Sequence, residues 1–105
     1  MENVKDLTSK NFNEFIKSGV SVVDFSAEWC SPCKILKPIF HAVAGEIKGV
    51  KFGTVDIDKE NDLAQRFGVM SVPTIIFFKK GEQIDMAVGA LPKNELLKMV
   101  KANSK

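Results

Sequence analysis

The sequence predicts an α/β fold in which a central sheet is covered by helices on both faces. Short β-prone apolar runs alternate along the chain with segments whose apolar residues recur at helical spacing. The run Val20–Ser26 carries apolar residues on both faces, which is typical of a buried parallel strand. The predicted element order is therefore βαβαβαββα.

The elements of the first half follow from apolar spacing and capping residues. Phe12, Phe15 and Ile16 lie at helical spacing after Thr8 and Ser9, either of which can cap a helix. The next helix has one apolar stripe opposite a lysine-rich face. The predicted elements are a strand at Val4–Leu7, a helix ending at Ser18-Gly19, the strand Val20–Ser26 and a helix from Pro32 to about Ile47. The predicted stripe consists of Ile35, Leu36, Ile39, Phe40, Val43 and Ile47.

The second half begins with a strand, a short helix and a hairpin. Turn residues separate two β-prone runs, which is the usual signal of a hairpin. A proline then opens a last helix whose leucines and valine are predicted to point inward. The predicted elements are a strand at Lys51–Asp58, a helix at Glu60–Phe67 stopped by Gly68, strands at Thr74–Phe78 and Gln83–Val88 around the turn Lys79–Glu82, and a helix from Pro92 with Leu96, Leu97 and Val100 inward.

Length and charge narrow the classes of protein to which this chain can belong. At 105 residues it is predicted to form one domain, residues 1–105, with a core that needs no structural disulfide or metal. A net charge of +2, with lysines and acidic residues interspersed, argues against nucleic acid and anionic membrane as partners. No apolar run suits a membrane span or a signal peptide, so we expect a cytoplasmic protein.

The only two cysteines and the only tryptophan lie in one stretch, Trp29-Cys30-Ser31-Pro32-Cys33. A C-x-x-C at a strand-to-helix junction indicates a redox dithiol in an intracellular protein. Pro32 suits the first turn of the helix, and Ser31 is placed to act as its N-cap. Cys30 is then expected just outside the helix and exposed, where free N–H groups favour its thiolate, while Cys33 lies in the first turn. We expect Cys30 to attack and Cys33 to resolve.

Two structural interpretations of the cysteines compete with the redox one. They can be small core residues, although a pair that straddles a proline-initiated helix start argues against this. They can also be half of a metal site, for which His41 is the other soft ligand. His41 lies eight residues past Cys33 on a helix, about 12 Å of axial rise, so one chain cannot bring them to one metal. A metal shared between two chains stays open, and His41 is interpreted as a solvated residue.

Asp24 interrupts the predicted strand Val20–Ser26 between Val23 and Phe25. An aspartate is usually a turn or cap residue, but here the strand pattern continues on both sides of it. A carboxylate inside a buried strand needs a partner or a role, because its charge is costly to remove from water. We therefore interpret Asp24 as a functional residue.

These residues stand in one order and spacing together with Pro38, Val72-Pro73-Thr74 and Gly89. The pattern Asp-Phe-x-Ala-x-Trp-Cys-x-Pro-Cys-Lys and its surroundings resemble the thioredoxin family over essentially the whole chain. The resemblance implies the thioredoxin fold, a five-stranded mixed sheet flanked by four helices. It also implies reduction of protein disulfides, with no bound cofactor and with electrons from NADPH through a separate thioredoxin reductase.

The resemblance also assigns roles to individual residues. Cys30 matches the nucleophile, Cys33 the resolving thiol, Asp24 the buried carboxylate that transfers a proton, and Pro73 the cis-proline facing the dithiol. The apolar surface that receives the partner's chain is matched by Trp29, Val72, Gly89 and Ala90. The sequence departs from the commonest family pattern at Ser31, usually glycine, at Ser26, often tryptophan, and at Thr54, often lysine.

The predicted function is that of a monomeric dithiol–disulfide oxidoreductase that reduces protein disulfides. An oxidase or isomerase on the same fold is a neighbouring alternative, which the redox potential decides. A module that only binds and stabilises a partner is an alternative of another class. The set Asp24, Cys30, Cys33 and Pro73 argues against pure binding.

Overall fold

The computed structural model describes residues 3–105, and their regular structure comprises one five-stranded sheet and four helices. The elements appear in the predicted order, with boundaries that differ by a few residues. Their bounds are β1 Val4–Asp6, α1 Phe12–Ile16, β2 Val20–Ser26, α2 Ser31–Glu46, β3 Val50–Asp56, α3 Asn61–Arg66, β4 Thr74–Lys79, β5 Glu82–Val88 and α4 Lys93–Asn103.

Helix α1 begins later than was predicted from the candidate capping residues Thr8 and Ser9. Thr8 and Ser9 do not cap it; the helix starts at Phe12 after Asn11. The segment before it is a turn, in which the Asn11 side chain accepts from the Thr8 amide at 2.7 Å. The Thr8 hydroxyl accepts from the Lys10 amide at 3.2 Å, so it serves this turn instead of the helix.

The sheet is mixed, as the family resemblance implies, with strand order β1-β3-β2-β4-β5. Strands β1, β3 and β2 are parallel, whereas β4 runs antiparallel to β2 and β5 antiparallel to β4. Strand β2 is therefore central, and every residue in it except Ser26 is buried. Because β2 leads directly into the C-x-x-C stretch, the dithiol sits at the end of the most enclosed strand of the fold.

Two apolar clusters fill the two sides of the sheet. Helices α2 and α4 pack on one side and α1 and α3 on the other. The α2 stripe is confirmed for most of its residues, but Ile35 is 63% exposed and does not belong to it. Ile35 lies at the border of the stripe, beside Leu36, in the early turns of α2 that carry the cysteines.

Gly53 in β3 leaves the room into which Leu7 and Phe15 pack. A Cβ at this position would lie 2.6 Å from Leu7 Cδ1 and 3.1 Å from Phe15 Cε2. Leu7 is buried and cannot move freely, so Gly53→Ala is expected to destabilise the chain by about 1–3 kcal/mol. Urea unfolding measures this. The control is Gly45→Ala in α2, where the Cβ meets only an ordinary contact at 3.5 Å, and equal destabilisation by both changes would contradict the packing argument.

Candidate active site

The two cysteines form a disulfide at the N-terminus of α2, with their Cα atoms 5.2 Å apart. The chain leaves β2 at Ser26 and turns, with the Cys30 amide donating to the Ala27 carbonyl at 3.2 Å. The 16-residue helix α2 then starts at Ser31 with Pro32 in its first turn. The dithiol thus lies at the strand-to-helix junction that the sequence indicates, at the positive end of a helix long enough to have a substantial dipole.

The N-cap of α2 is Cys30, and the prediction that Ser31 caps the helix is wrong. Cys30 has extended dihedral angles, φ −93° and ψ 113°, whereas Ser31 is the first helical residue and is exposed. The Cys30 sulfur accepts a hydrogen bond from the Cys33 amide at 3.2 Å. The helix begins one residue earlier than expected, so the sulfur occupies the position in which a capping oxygen usually lies.

Cys30 is buried, contrary to the expectation that it is exposed. Both cysteines are 4% exposed in the disulfide form. Cys30 packs with Ala27 and Val72, and its sulfur lies 3.6 Å from the Val72 carbonyl oxygen. The loop before β4 therefore covers the sulfur, which a sequence pattern within residues 29–33 does not reveal.

The Val72-Pro73 peptide bond is cis. Pro73 precedes β4, and its carbonyl accepts from the Gly89 amide at 2.8 Å. Gly89 has φ +104°, a conformation that residues with a side chain rarely adopt. These contacts join Gly89 to Pro73, the residue after the Val72 carbonyl that lies beside the Cys30 sulfur.

Asp24 is a buried carboxylate in β2. It is 4% exposed, and its Oδ1 atom has no hydrogen-bond partner among residues 3–105. Thr54 lies opposite it in β3, but the Thr54 hydroxyl donates to the Asp24 backbone carbonyl at 3.2 Å and not to the carboxylate. Desolvation by burial raises the pKa of Asp24 from 3.8 to about 7.

Asp24 and Cys33 line the same cleft, an open cavity of about 730 Å³ between α2 and the ends of β1 and β3. Polar and charged side chains surround it, including Ser26, Lys34, Lys37, His41, Asp56 and Lys59. His41, interpreted from the sequence as a solvated residue, is partly buried in this wall and faces the open cleft. Desolvation, with a smaller effect of the nearby Lys37 cation, lowers the pKa of His41. The cleft connects Asp24 with solvent.

Trp29 is 67% exposed and is held by Asp58. Its indole Nε1 donates to Asp58 Oδ2 at 2.9 Å, and Asp58 follows the end of β3. The sequence interpretation missed Asp58. Because β2 and β3 are parallel, their carboxyl ends share one edge of the sheet, so polar residues after β3 are expected near those after β2. This reasoning could have predicted that Asp56 or Asp58, at and after the end of β3, lies near Trp29.

Neither a cluster of metal-ligating side chains nor a membrane-spanning helix is found among residues 3–105. No group of three or more His, Cys, Asp and Glu side chains there could hold a metal ion. No helix in this range is long and apolar enough to cross a membrane.

The arrangement suits thiol–disulfide exchange. The amide that donates to the Cys30 sulfur, together with the helix dipole, stabilises negative charge on that sulfur when the disulfide is reduced. Asp24 can hold a proton near neutral pH, because its pKa of about 7 lies within the physiological range. A stabilised thiolate and a proton acceptor in the cleft beside the second thiol are the two elements that this chemistry needs.

Comparison with known proteins agrees with this chemistry. The family model described as Thioredoxin matches residues 3–102. A thioredoxin from Chlamydia caviae is 41% identical over 101 residues, which cover 96% of this chain and 99% of that protein. A thioredoxin from Staphylococcus saprophyticus is 42% identical over 95 residues, covering 90% of this chain and 91% of that protein.

Solved structures give the same result for the fold. A mutant thioredoxin from Halobacterium salinarum superposes with a TM-score of 0.90 at 27% identity, covering 97% of this chain and 91% of that one. A thioredoxin from Malassezia sympodialis superposes with a TM-score of 0.85 at 34% identity and the same coverage.

Proposed function

This chain belongs to the thioredoxin family, and we propose that it reduces disulfide bonds of other proteins by cycling Cys30 and Cys33 between dithiol and disulfide. The observation that carries the proposal is the hydrogen bond from the Cys33 amide to the Cys30 sulfur at the start of α2. That bond would stabilise a Cys30 thiolate and make Cys30 the nucleophile. Cys33, inside the first turn, would be the resolving thiol.

The reaction has two displacement steps. The Cys30 thiolate attacks one sulfur of the partner's disulfide, forming a mixed disulfide and releasing the other sulfur as a thiolate that takes up a proton. Cys33 then loses its proton and attacks the Cys30 sulfur, which releases the reduced partner and leaves the Cys30–Cys33 disulfide. Asp24 would accept the Cys33 proton through water in the shared cleft, which its raised pKa permits.

The partner's chain would meet the surface around the dithiol. We assign its contacts to Trp29, Val72, Gly89 and Ala90, with Pro73, Ser31 and Pro32 shaping the rim. Support comes from the Cys30 sulfur, 3.6 Å from the Val72 carbonyl, because a partner sulfur bonded to Cys30 must pass this backbone. The backbone of Val72 can then pair with an extended partner segment, which tolerates many sequences.

The electron supply and the cellular setting are further parts of the proposal. A thioredoxin reductase that uses NADPH would restore the dithiol. The chain would act in the cytoplasm as a monomer and as the single domain 1–105. An oxidase or isomerase would use the same residues, and titration of the dithiol against glutathione decides between these roles by the redox potential.

The test is catalysed reduction of insulin disulfides driven by dithiothreitol. The wild-type chain is expected to accelerate insulin precipitation, and Cys30→Ser is expected to reduce the rate to that of dithiothreitol alone. A module that only binds partners would not depend on Cys30. Acceleration that survives Cys30→Ser would therefore overturn the proposal.

A further inference from the structure

The strongly exposed large apolar side chains are confined to part of the surface. Within residues 3–105 they lie beside the cysteines, in the loop before Pro73 and on β5. None lies on α1, α3 or α4. The residues are Trp29 (67% exposed), Ile35 (63%), Met70 (95%), Ile84 (42%), Met86 (47%) and Val88 (58%). Single exposed apolar residues are ordinary, but their concentration around one site indicates a contact surface.

Met86 and Val88 belong to one face of the edge strand β5. They pair with Ile76 and Thr74 of β4, and Ile76 belongs to the core cluster beneath α1 and α3. Met86 and Val88 therefore face the same side as α1 and α3, because paired residues of adjacent strands share a face. Strand β5 is the last strand of the sheet, and these helices leave both side chains uncovered.

Met70 lies in the loop before Pro73, near the dithiol. It stands two residues before Val72, whose carbonyl oxygen is 3.6 Å from the Cys30 sulfur. Two residues span at most about 7 Å of chain, so Met70 is close to the reacting sulfur. At 95% exposure, its side chain has almost no contact with the rest of the fold.

Both methionines fall within the footprint of a protein partner bound at the dithiol. An ordinary interface covers about 800 Å² of each protein, equivalent to a disc of about 16 Å radius. Met86 pairs with Ile76, which lies four residues past Val72, so four residues of chain and one strand spacing separate Val72 from Met86, about 14 Å in a straight line. Ile84 is about 7 Å further along β5 and falls outside this disc.

We propose that Met70 and Met86 extend the partner-binding surface and receive apolar side chains that flank the disulfide of a polypeptide partner. This rests on the proposed function and names two residues that favour polypeptide disulfides over small ones. Methionine is flexible and polarisable, so it adapts to differing apolar side chains. The Met86 amide donates to Asp85 Oδ1 at 2.8 Å, so it is not free to pair with an added strand. A partner therefore contacts Met86 through side chains and not through an added β-strand.

The experiment compares a polypeptide substrate with a small one in the full chain. Reduction of insulin is measured beside reduction of bis(2-hydroxyethyl) disulfide, a small disulfide with no apolar side chain for either methionine to receive. Met70→Gln and Met86→Gln are each expected to lower kcat/KM for insulin about fivefold, mainly through KM, and the double variant by more than tenfold. The rate with the small disulfide is expected to stay within twofold of wild type.

Ile84→Gln is the matched control, because Ile84 is on the same strand as Met86 and about as exposed. It is expected to leave both rates unchanged. An equal loss with Ile84→Gln, or equal losses for both substrates, would overturn the inference. So would a wild-type dimer that Met86→Gln dissociates without changing insulin reduction, because the patch would then join two copies. Inactivity of the wild-type chain toward both disulfides would instead contradict the proposed function.

Discussion

Asp24→Asn is expected to stabilise the folded chain by about 2–4 kcal/mol at pH 8. The carboxylate is 4% exposed, and burial raises its pKa from 3.8 to about 7. Ionising it inside the protein therefore destabilises the folded state, by about 4 kcal/mol at most for a shift of this size. Asparagine has a similar shape and cannot ionise, so this destabilisation disappears. Urea unfolding at fixed pH measures the difference.

Asp24 is expected to make the wild-type chain less stable as the pH rises. A folded-state pKa above the unfolded one means that the folded chain binds the proton more tightly, so the stabilisation is complete below pH 3.8. This stabilisation of the folded state by the bound proton decreases as the pH rises from about 4 to about 7, and it is absent at higher pH. Wild-type stability should fall across this window, and Asp24→Asn should remove that contribution.

Asp62→Asn is the matched control, because Asp62 is exposed in α3 and its replacement relieves no burial. It should retain the wild-type slope between pH 4 and 7. Asp24→Asn should also slow the resolving step at neutral pH by about 100-fold, the usual contribution of a positioned proton acceptor. A folded-state Asp24 pKa at or below 3.8 by NMR titration would contradict both expectations.

Cys33→Ser is expected to accumulate mixed disulfides between Cys30 and partner proteins. The first displacement needs only the Cys30 thiolate, whereas release of the partner needs the Cys33 sulfur. Incubation with disulfide-containing insulin should therefore give a covalent adduct that persists until a reductant is added. Intact-mass spectrometry under non-reducing conditions measures its yield.

Cys30→Ser is the matched control and should give no adduct. The two thiols are equally buried, so this asymmetry has to come from the hydrogen bond and the helix dipole that favour the Cys30 thiolate. Iodoacetamide should accordingly alkylate Cys30 faster than Cys33 in the reduced chain at neutral pH. Equal alkylation rates, or adducts trapped by Cys30→Ser instead, would reverse the assignment of the two thiols.

Local sequence was sufficient to predict the element order and the position of the dithiol. Each depends on short-range patterns, such as a C-x-x-C with Pro32 at a helix start or the apolar run of β2 around Asp24. The family resemblance supplied what these patterns do not contain, namely the roles of Pro73 and Val72. The cis bond before Pro73 agrees with that resemblance.

The errors occur where a residue's environment comes from distant parts of the chain or from the backbone. Cys30 was expected to be exposed, but the loop carrying Val72 covers its sulfur from 42 positions further along. Ser31 was expected to cap α2, but the backbone turns one residue earlier and the Cys30 sulfur accepts the Cys33 amide. The position of His41 in the wall of the cleft was not predicted, because a helical wheel does not show which strands lie beside each face of a helix.

By itself, then, the sequence determined the elements, their order and the pair of thiols, because spacing along one strand or helix encodes them. The tertiary structure decided the environment of those thiols. Pairing β2 with β3 placed Thr54 against the Asp24 backbone and left Asp24 Oδ1 without a hydrogen-bond partner in the described part of the chain. The same pairing brought Asp58 to Trp29. Packing α2 across the ends of β1 and β3 opened the cleft that joins Asp24 to Cys33. These contacts join residues far apart in sequence, and only folding sets the distances between them.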